Sequence, residues 1–166
     1  MIKEDKSRVT FNLNGTSQTV FASQIRRFSE LLREDLGLKG TKVGCDAGDC
    51  GACTILINGE QRYACLTATG QLDGSDVRTV EGLSKNGELT SLQHSFLEEG
   101  AAQCGICTPG MLMTAYEIIE RNPEPDENEV RQALAGNLCM CTGYINIVKA
   151  VLAGAREVQR LVNESG

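Results

Sequence analysis

Val43-Gly44-Cys45-Asp46-Ala47-Gly48-Asp49-Cys50-Gly51-Ala52-Cys53, followed after eleven intervening residues by Cys65, spells C-x4-C-x2-C-x11-C with glycine threaded through it. Four thiolates saturate a two-iron, two-sulfide cluster, and C-x4-C-x2-C is the plant-type spacing for one. Such a cluster needs hydrogen-bond donors at its sulfurs. Glycine, which accepts positive φ, lets a short loop turn its backbone N–H groups inward. A structural zinc site is the competing reading, since zinc modules also use C-x2-C pairs. Zinc ribbons, however, pair two short knuckles, whereas here three cysteines sit within nine residues.

The other four of the eight cysteines form a second group of different spacing: Cys104 and Cys107, then, about thirty residues on, Cys139 and Cys141. By spacing alone this quartet could hold zinc or a cluster. Both halves of it lie just before an expected helix, so the positive end of each helix would face whatever negative group the thiolates hold. The two quartets differ in spacing and surroundings, which argues against duplication of one module and for an electron path through two unlike sites.

A chain of 166 residues is long enough for one domain or two small ones. Two four-thiolate sites favour two, because each can cross-link a core too small to stand alone. The opening residues Met1 to Arg8 alternate charge and carry no apolar run, so no signal peptide is expected. A reducing cytoplasm is the expected location, where grouped cysteines more often bind metal than form disulfides. No apolar stretch approaches membrane-spanning length. Net charge is −6 with scattered Lys and Arg, and aromatic content is 4% without Trp, so nucleic acid is not an expected partner.

Alternating residues on either side of Asn14-Gly15 predict a β-hairpin, and Thr54 to Ala64 around Asn58-Gly59 predict a second. Ser29 reads as the N-cap of a helix ended by Gly37, and Val77 to Val80 as a fifth strand. This order suits a β-grasp domain over residues 1–84. From 85 to 166 the periodicity is helical. One helix is built on Leu92, Phe96 and Leu97. A second follows Thr108, read as N-cap, and Pro109. A third starts at an Asp126/Glu129 capping box with Gly136 beyond its end, and a last one runs from about Tyr144 to Val162. The fold class expected is α+β, a plant-type ferredoxin-like β-grasp domain followed by a helical bundle. His94, the single histidine, reads as a surface residue, and Met111 and Met113 as core filler. No P-loop, GxGxxG or nucleophile-base combination is present, so no catalytic residue is expected in this chain.

Residues 43–54, Gln103-Cys104-Gly105-Ile106-Cys107-Thr108-Pro109-Gly110 and Gly136-Asn137-Leu138-Cys139-Met140-Cys141-Thr142-Gly143-Tyr144 together resemble the small iron–sulfur subunit of the xanthine oxidase family of molybdenum hydroxylases. The resemblance covers residues 9 to 155. It implies two [2Fe–2S] clusters, held by Cys45, Cys50, Cys53 and Cys65 and by Cys104, Cys107, Cys139 and Cys141, the second in a four-helix domain. It also implies a large subunit carrying molybdenum on molybdopterin, in bacteria usually the cytosine dinucleotide form, a medium FAD subunit, and a dimer of heterotrimers. Electrons would pass from molybdenum through the helical-domain cluster and then the plant-type cluster to flavin. Gln103 and Cys141 would lie against the pterin. The residue between the last two cysteines is commonly Arg in this family and is Met140 here; the residue before Cys107 is commonly aromatic and is Ile106 here. A free two-cluster ferredoxin, and a flavin-free complex feeding a cytochrome, are the alternatives.

Overall fold

The strand patterns of the first half resolve into one five-stranded sheet, ordered β2-β1-β5-β3-β4, in a computed structural model that describes residues 6–84 and 86–165. The expectations placed on Met1 to Asp5, and the boundary drawn at Lys85, lie outside the described residues. Strands β1 (Lys6–Leu13) and β2 (Thr16–Ser23) form the first hairpin, with Leu13 opposite Thr16. Asn14 and Gly15 both take positive φ, 52° and 82°, the combination a two-residue hairpin turn requires. β3 (Thr54–Ile57) and β4 (Glu60–Tyr63) repeat the arrangement around Asn58-Gly59. β5 (Asp76–Arg78) lies parallel to β1 and antiparallel to β3, which makes the sheet mixed. The fifth strand is thus shorter than expected, because Val80 starts a 3-10 turn.

The first helix departs from its sequence reading. It comprises α1 (Phe28–Glu30) and a π-helical turn, Leu31–Asp35, in which the Leu36 N–H reaches the Leu31 carbonyl at 3.1 Å. Ser29 does not cap it: Arg27 holds that position, while Ser29 is buried and its N–H goes to the Ala64 carbonyl at 3.1 Å. Gly37 ends the segment at φ 69°, as expected. The apolar face carries Phe28, Leu31 and Leu32 onto Val9, Phe11 and Ile55, with Phe11 and Phe28 edge to face at 5.7 Å. Cys53 and Cys65 belong to the same core.

The second half is helical: α2 (Ser91–Glu98), α3 (Thr108–Arg121), α4 (Glu127–Ala133) and α5 (Ile145–Ser165). Thr90 caps α2 in a box with Gln93, and Asp126 caps α4 in the expected box with Glu129. Thr108 is not a cap; Cys107 occupies that position and Thr108 is already helical. Nor does Gly136 take the left-handed role. It closes a 3-10 turn, Leu134–Gly136, and its missing side chain makes room for the Tyr63 hydroxyl, which donates to the Gly136 carbonyl at 3.1 Å. Met111, Met113, Ile118, Val130, Ile147 and Val151 form the core of this half. Both methionines are fully buried and His94 is exposed, as read. Among the described residues no helix is long and apolar enough to cross a membrane.

Strand β3 joins the two cores through its two faces. Ile55 points into the sheet-helix core and its neighbour Leu56 into the helical core, the alternation that a strand imposes. Around that strand the contact is polar and buried. The Asn137 amide nitrogen donates to the Gly51 carbonyl at 2.9 Å and to Thr54 Oγ1 at 3.1 Å, and its Oδ1 accepts from the Thr114 hydroxyl at 2.8 Å. Its backbone N–H goes to the Leu134 carbonyl and its backbone carbonyl accepts from the Tyr144 hydroxyl. Every polar group of this buried residue is paired. No side chain fits at Gly51, which sits at φ 68°, because a Cβ would run into the Gly136 carbonyl; at Gly110 a Cβ would run into the Gly51 carbonyl. Arg78 seals the rim by stacking 5.1 Å over the Tyr116 ring and bonding its hydroxyl.

Asn137→Ala removes three side-chain hydrogen bonds from this junction, leaving the Thr114 hydroxyl to Gln61 Oε1 at 3.0 Å and the Gly51 carbonyl to Thr54. Each such bond is worth about 1 kcal/mol. At about 2–4 °C per kcal/mol for a chain of this size, the melting temperature should fall by about 5–10 °C. Thermal melting checks the loss, and faster exchange of the Leu138 amide proton, which bonds the Cys50 carbonyl across the junction, localises it.

Candidate metal centres

The loop before β3 builds the first thiol group. Asp46, Gly48 and Gly51 all take positive φ, and the chain therefore curls around Cys45. Three backbone N–H groups converge on its Sγ, from Ala47 at 3.4 Å, Asp49 at 3.3 Å and Cys50 at 3.4 Å. The Ala47 and Cys50 amides chiefly, with the Asp49 amide and the Cys50 thiol, draw the Cys45 thiol down to about 6 and so favour its thiolate. Across the loop Cys53 is buried, and that burial, reinforced by the neighbouring Cys65 sulfur, pushes its thiol up to about 12. A positive charge held there would reverse that cost, as a coordinating metal does for a thiol. Arg27 pairs with Asp46 at the loop's outer side and also donates to its carbonyl at 3.3 Å.

The second group is assembled from two segments far apart in sequence. Cys107 lies at the N-terminus of α3, and Cys139 and Cys141 precede α5. Cys141 Sγ stands 3.6 Å from Cys104 Sγ, and Cys107 is hydrogen-bonded to Cys139. The Ile106 N–H and then the Cys141 thiol lower the pKa of Cys104, whereas burial, then Cys139, raises Cys107 to about 12. Cys139 is opposed by burial too, yet the Thr142 hydroxyl and the Thr142 and Cys141 N–H groups outweigh it, leaving that thiol lowered. Cys141 is raised by its bond to Cys104. Gln103 neither caps the following turn nor stands free: its amide nitrogen donates to the Cys141 carbonyl at 3.3 Å and ties the two segments together.

All eight cysteines are free thiols. Cys104 Sγ lies against Cys141 Sγ at 3.6 Å, and three further thiols are shifted in part by others of their own group: Cys45 by Cys50, Cys53 by Cys65 and Cys50, Cys107 by Cys139 and Cys104. Among the described residues no three His, Cys, Asp or Glu side chains gather as a site for one ion. Four thiols are the donor set of a two-iron cluster, in which each iron takes two cysteine sulfurs and the bridging sulfides supply the rest. The donor chemistry of both groups therefore fits a [2Fe–2S] cluster.

One hydrogen bond joins the two groups. The Leu138 N–H, one residue before Cys139, donates to the carbonyl of Cys50 itself at 2.8 Å. Sequence reasoning missed this link, the Asn137 hub and the Thr142 contact to Cys139. Thr142 follows Cys141 directly, and a hydroxyl beside a ligand run is a signal that proximity alone could have flagged. For Asn137 no local pattern distinguishes a buried amide from a turn residue.

Two family models match the chain in tandem, a 2Fe-2S iron-sulfur cluster binding domain over residues 3–93 and a [2Fe-2S] binding domain over residues 79–152. The nicotinate dehydrogenase small FeS subunit of Eubacterium barkeri is 46% identical over 147 residues, which cover 89% of this chain and 94% of that one. The xanthine dehydrogenase iron-sulfur-binding subunit of Escherichia coli O157:H7 is 42% identical, with 84% and 89% covered. In the solved structure of quinoline 2-oxidoreductase from Pseudomonas putida 86, a chain 44% identical superposes with a TM-score of 0.90 over 94% of this chain and 98% of that one. A mixed sheet followed by a helical half is thus a shared architecture, and the chain belongs to the small iron–sulfur, electron-transfer subunits of the xanthine oxidase family of molybdenum-dependent dehydrogenases.

Proposed function

We propose that this chain carries electrons from a molybdopterin site in a large subunit, through a [2Fe–2S] cluster in a helical domain of residues 85–166 and then a plant-type [2Fe–2S] cluster in a domain of residues 1–84, to FAD in a medium subunit. Cys104, Cys107, Cys139 and Cys141 hold the first cluster and Cys45, Cys50, Cys53 and Cys65 the second. The pterin is of the cytosine dinucleotide form, the assembly a dimer of heterotrimers, and the location cytoplasmic. The observation that carries the reading is the gathering of the thiols into two groups, in loops joined by the Leu138 to Cys50 hydrogen bond.

When bound, each cluster supplies a centre that takes up and releases one electron without a proton or an atom changing place. The chain's own residues give that centre a fixed setting. The amides of Ala47, Asp49 and Cys50 hold negative charge at Cys45, and the junction around Asn137 fixes the distance between the loops. At the helical end Cys104 and Cys141 are exposed, flanked by Met140, 96% exposed, with Ile106 and Ile145 each more than half uncovered or close to it. An apolar rim of that kind suits a permanent partner better than a diffusing carrier, which favours the large subunit over a free ferredoxin. The residues that depart from the family's common pattern, Met140 and Ile106, both lie on this rim.

The purified complex should contain four irons and four acid-labile sulfides per copy of this chain. Two irons, or stoichiometric zinc, would refute the two-cluster reading. In a Cys50→Ser complex that still assembles, rapid mixing with the reducing substrate should leave reduction of the helical-domain cluster intact and slow that of flavin; a helical cluster that stays oxidised reverses the proposed order. Gln103, placed with Cys141 against the pterin in this reading, has an amide oxygen that can accept from a heterocycle while its nitrogen holds the Cys141 carbonyl. Gln103→Leu should leave both cluster spectra unchanged and slow electron transfer out of reduced molybdenum several-fold. Unaltered single-turnover kinetics would confine Gln103 to tying the loops.

A further inference from the structure

We infer that the Thr142 hydroxyl is a positioning residue that sets the reduction potential of the helical-domain cluster, holding it higher than the cysteines alone would. The inference rests on the reading of Cys139 as a cluster ligand. Thr142 Oγ1 stands 3.1 Å from Cys139 Sγ, and among the described residues it is the one side-chain hydroxyl bonded to a cysteine sulfur.

The direction of this bond follows from its neighbours. The Tyr144 N–H donates to Thr142 Oγ1 at 3.2 Å, which occupies a lone pair of the hydroxyl and leaves its proton free. A sulfur that binds metal is a thiolate and can only accept. Thr142 must therefore be the donor. The turn that aims it is fixed by the two residues that follow, Gly143 and Tyr144, which take positive φ, 61° and 68°. The Tyr144 hydroxyl in turn accepts from the Cys139 N–H at 3.0 Å and donates to the Asn137 carbonyl at 3.1 Å. A left-handed tyrosine is uncommon, and here two hydrogen bonds from its ring hydroxyl hold the turn in place.

Uptake of one electron adds negative charge to the sulfurs, and a donor fixed on one of them stabilises the reduced form more than the oxidised one. Potentials of such clusters follow the hydrogen bonds to their sulfurs. The hydroxyl proton stays on Thr142 throughout; only the strength of its bond changes. In the other thiol group the donors onto Cys45 are backbone amides, which no change of side chain short of proline removes. Thr142 is a donor that sequence change can add or delete, and it acts on one group alone.

The test is an EPR-monitored redox titration of the assembled complex with Thr142→Val, Thr142→Ala and Thr142→Ser. The Val and Ala variants should retain both cluster signals and lower one midpoint, shifting its reduced-to-oxidised ratio at fixed ambient potential by about tenfold, which is 59 mV for a one-electron couple. Thr142→Ser, which keeps the hydroxyl, should titrate like the unaltered complex, and the second cluster should not move in any variant. Ala removes the hydroxyl without adding bulk, so it carries the same expectation if Val disturbs the turn. Two intact signals with unchanged midpoints in the Ala or Val variant would overturn the role of Thr142 and leave the two-cluster reading standing. An unaltered complex lacking one of the two signals would overturn both together.

Discussion

A single buried carboxamide, that of Asn137, fixes how the two halves of this protein meet. Its nitrogen donates one proton to the Gly51 carbonyl in the loop of the first thiol group and the other to Thr54 at the start of β3, and its oxygen takes the proton of Thr114 on α3. A buried polar residue with every group paired stabilises only one arrangement, since any sliding of the halves leaves donors and acceptors unpaired. Apolar packing alone, as between Leu56 and the helical core, would tolerate such a shift. Glycine at 51 and 110 is the steric counterpart, because the backbones approach too closely for a Cβ at either position. The junction therefore behaves as a lock, and the two thiol groups sit immediately on either side of it.

That location explains why the cysteine loops are built differently. The first loop is continuous, so its donors are its own amides, aimed by residues in the left-handed region. The second is drawn from two segments about thirty residues apart, and something must hold them in register before a metal arrives. Gln103 on the Cys141 carbonyl and Tyr144 on the Asn137 carbonyl supply those ties. Cys107 at the start of α3, and Cys139 and Cys141 just ahead of α5, then meet the positive ends of two helices, an advantage for any group carrying net negative charge. In a chain whose own charge is −6, such local donors matter more than the overall field.

Much of this was legible in the sequence, and the reason is that its signals are local. Asn14-Gly15 and Asn58-Gly59 demand turns that few other residues make, and Asp126 with Glu129 satisfies orphan amides within one helical turn. The cysteine spacings alone divide the eight thiols into two groups. The misreadings arose where a local rule lost to a tertiary one. Ser29 has the composition of a cap, but the helix starts earlier so that Phe28 can enter the core and the Ser29 amide can reach Ala64. Thr108 lost the cap position to Cys107, whose place is tied to its thiol. Gly136 looked like a helix terminator and is instead the space into which Tyr63 fits. Asn137 was invisible because its three side-chain partners come from residues 23 to 86 positions away.

The same distribution of constraints bears on how such a protein keeps electron transfer fast. Apart from the thiols themselves, the donors onto the cysteine sulfurs among the described residues are backbone amides in loops of fixed φ and a hydroxyl whose own lone pair is already engaged, so little has to move when charge arrives. Preorganised dipoles respond to added charge without rearranging, whereas exposed water would have to reorient. Burial of Cys53, Cys65 and Cys139 excludes that water from one part of each thiol group, while Cys45, Cys104 and Cys141 are exposed. The Leu138 amide and Cys50 carbonyl then bridge the remaining gap with one hydrogen bond between residues that are, or directly adjoin, members of the two thiol groups. A lock placed anywhere else in the fold would hold the halves together equally well. Only at residues 50–51 and 137–138 does the same set of contacts also hold the two thiol groups at constant separation, and that double duty accounts for a buried amide where an aliphatic side chain would pack more cheaply.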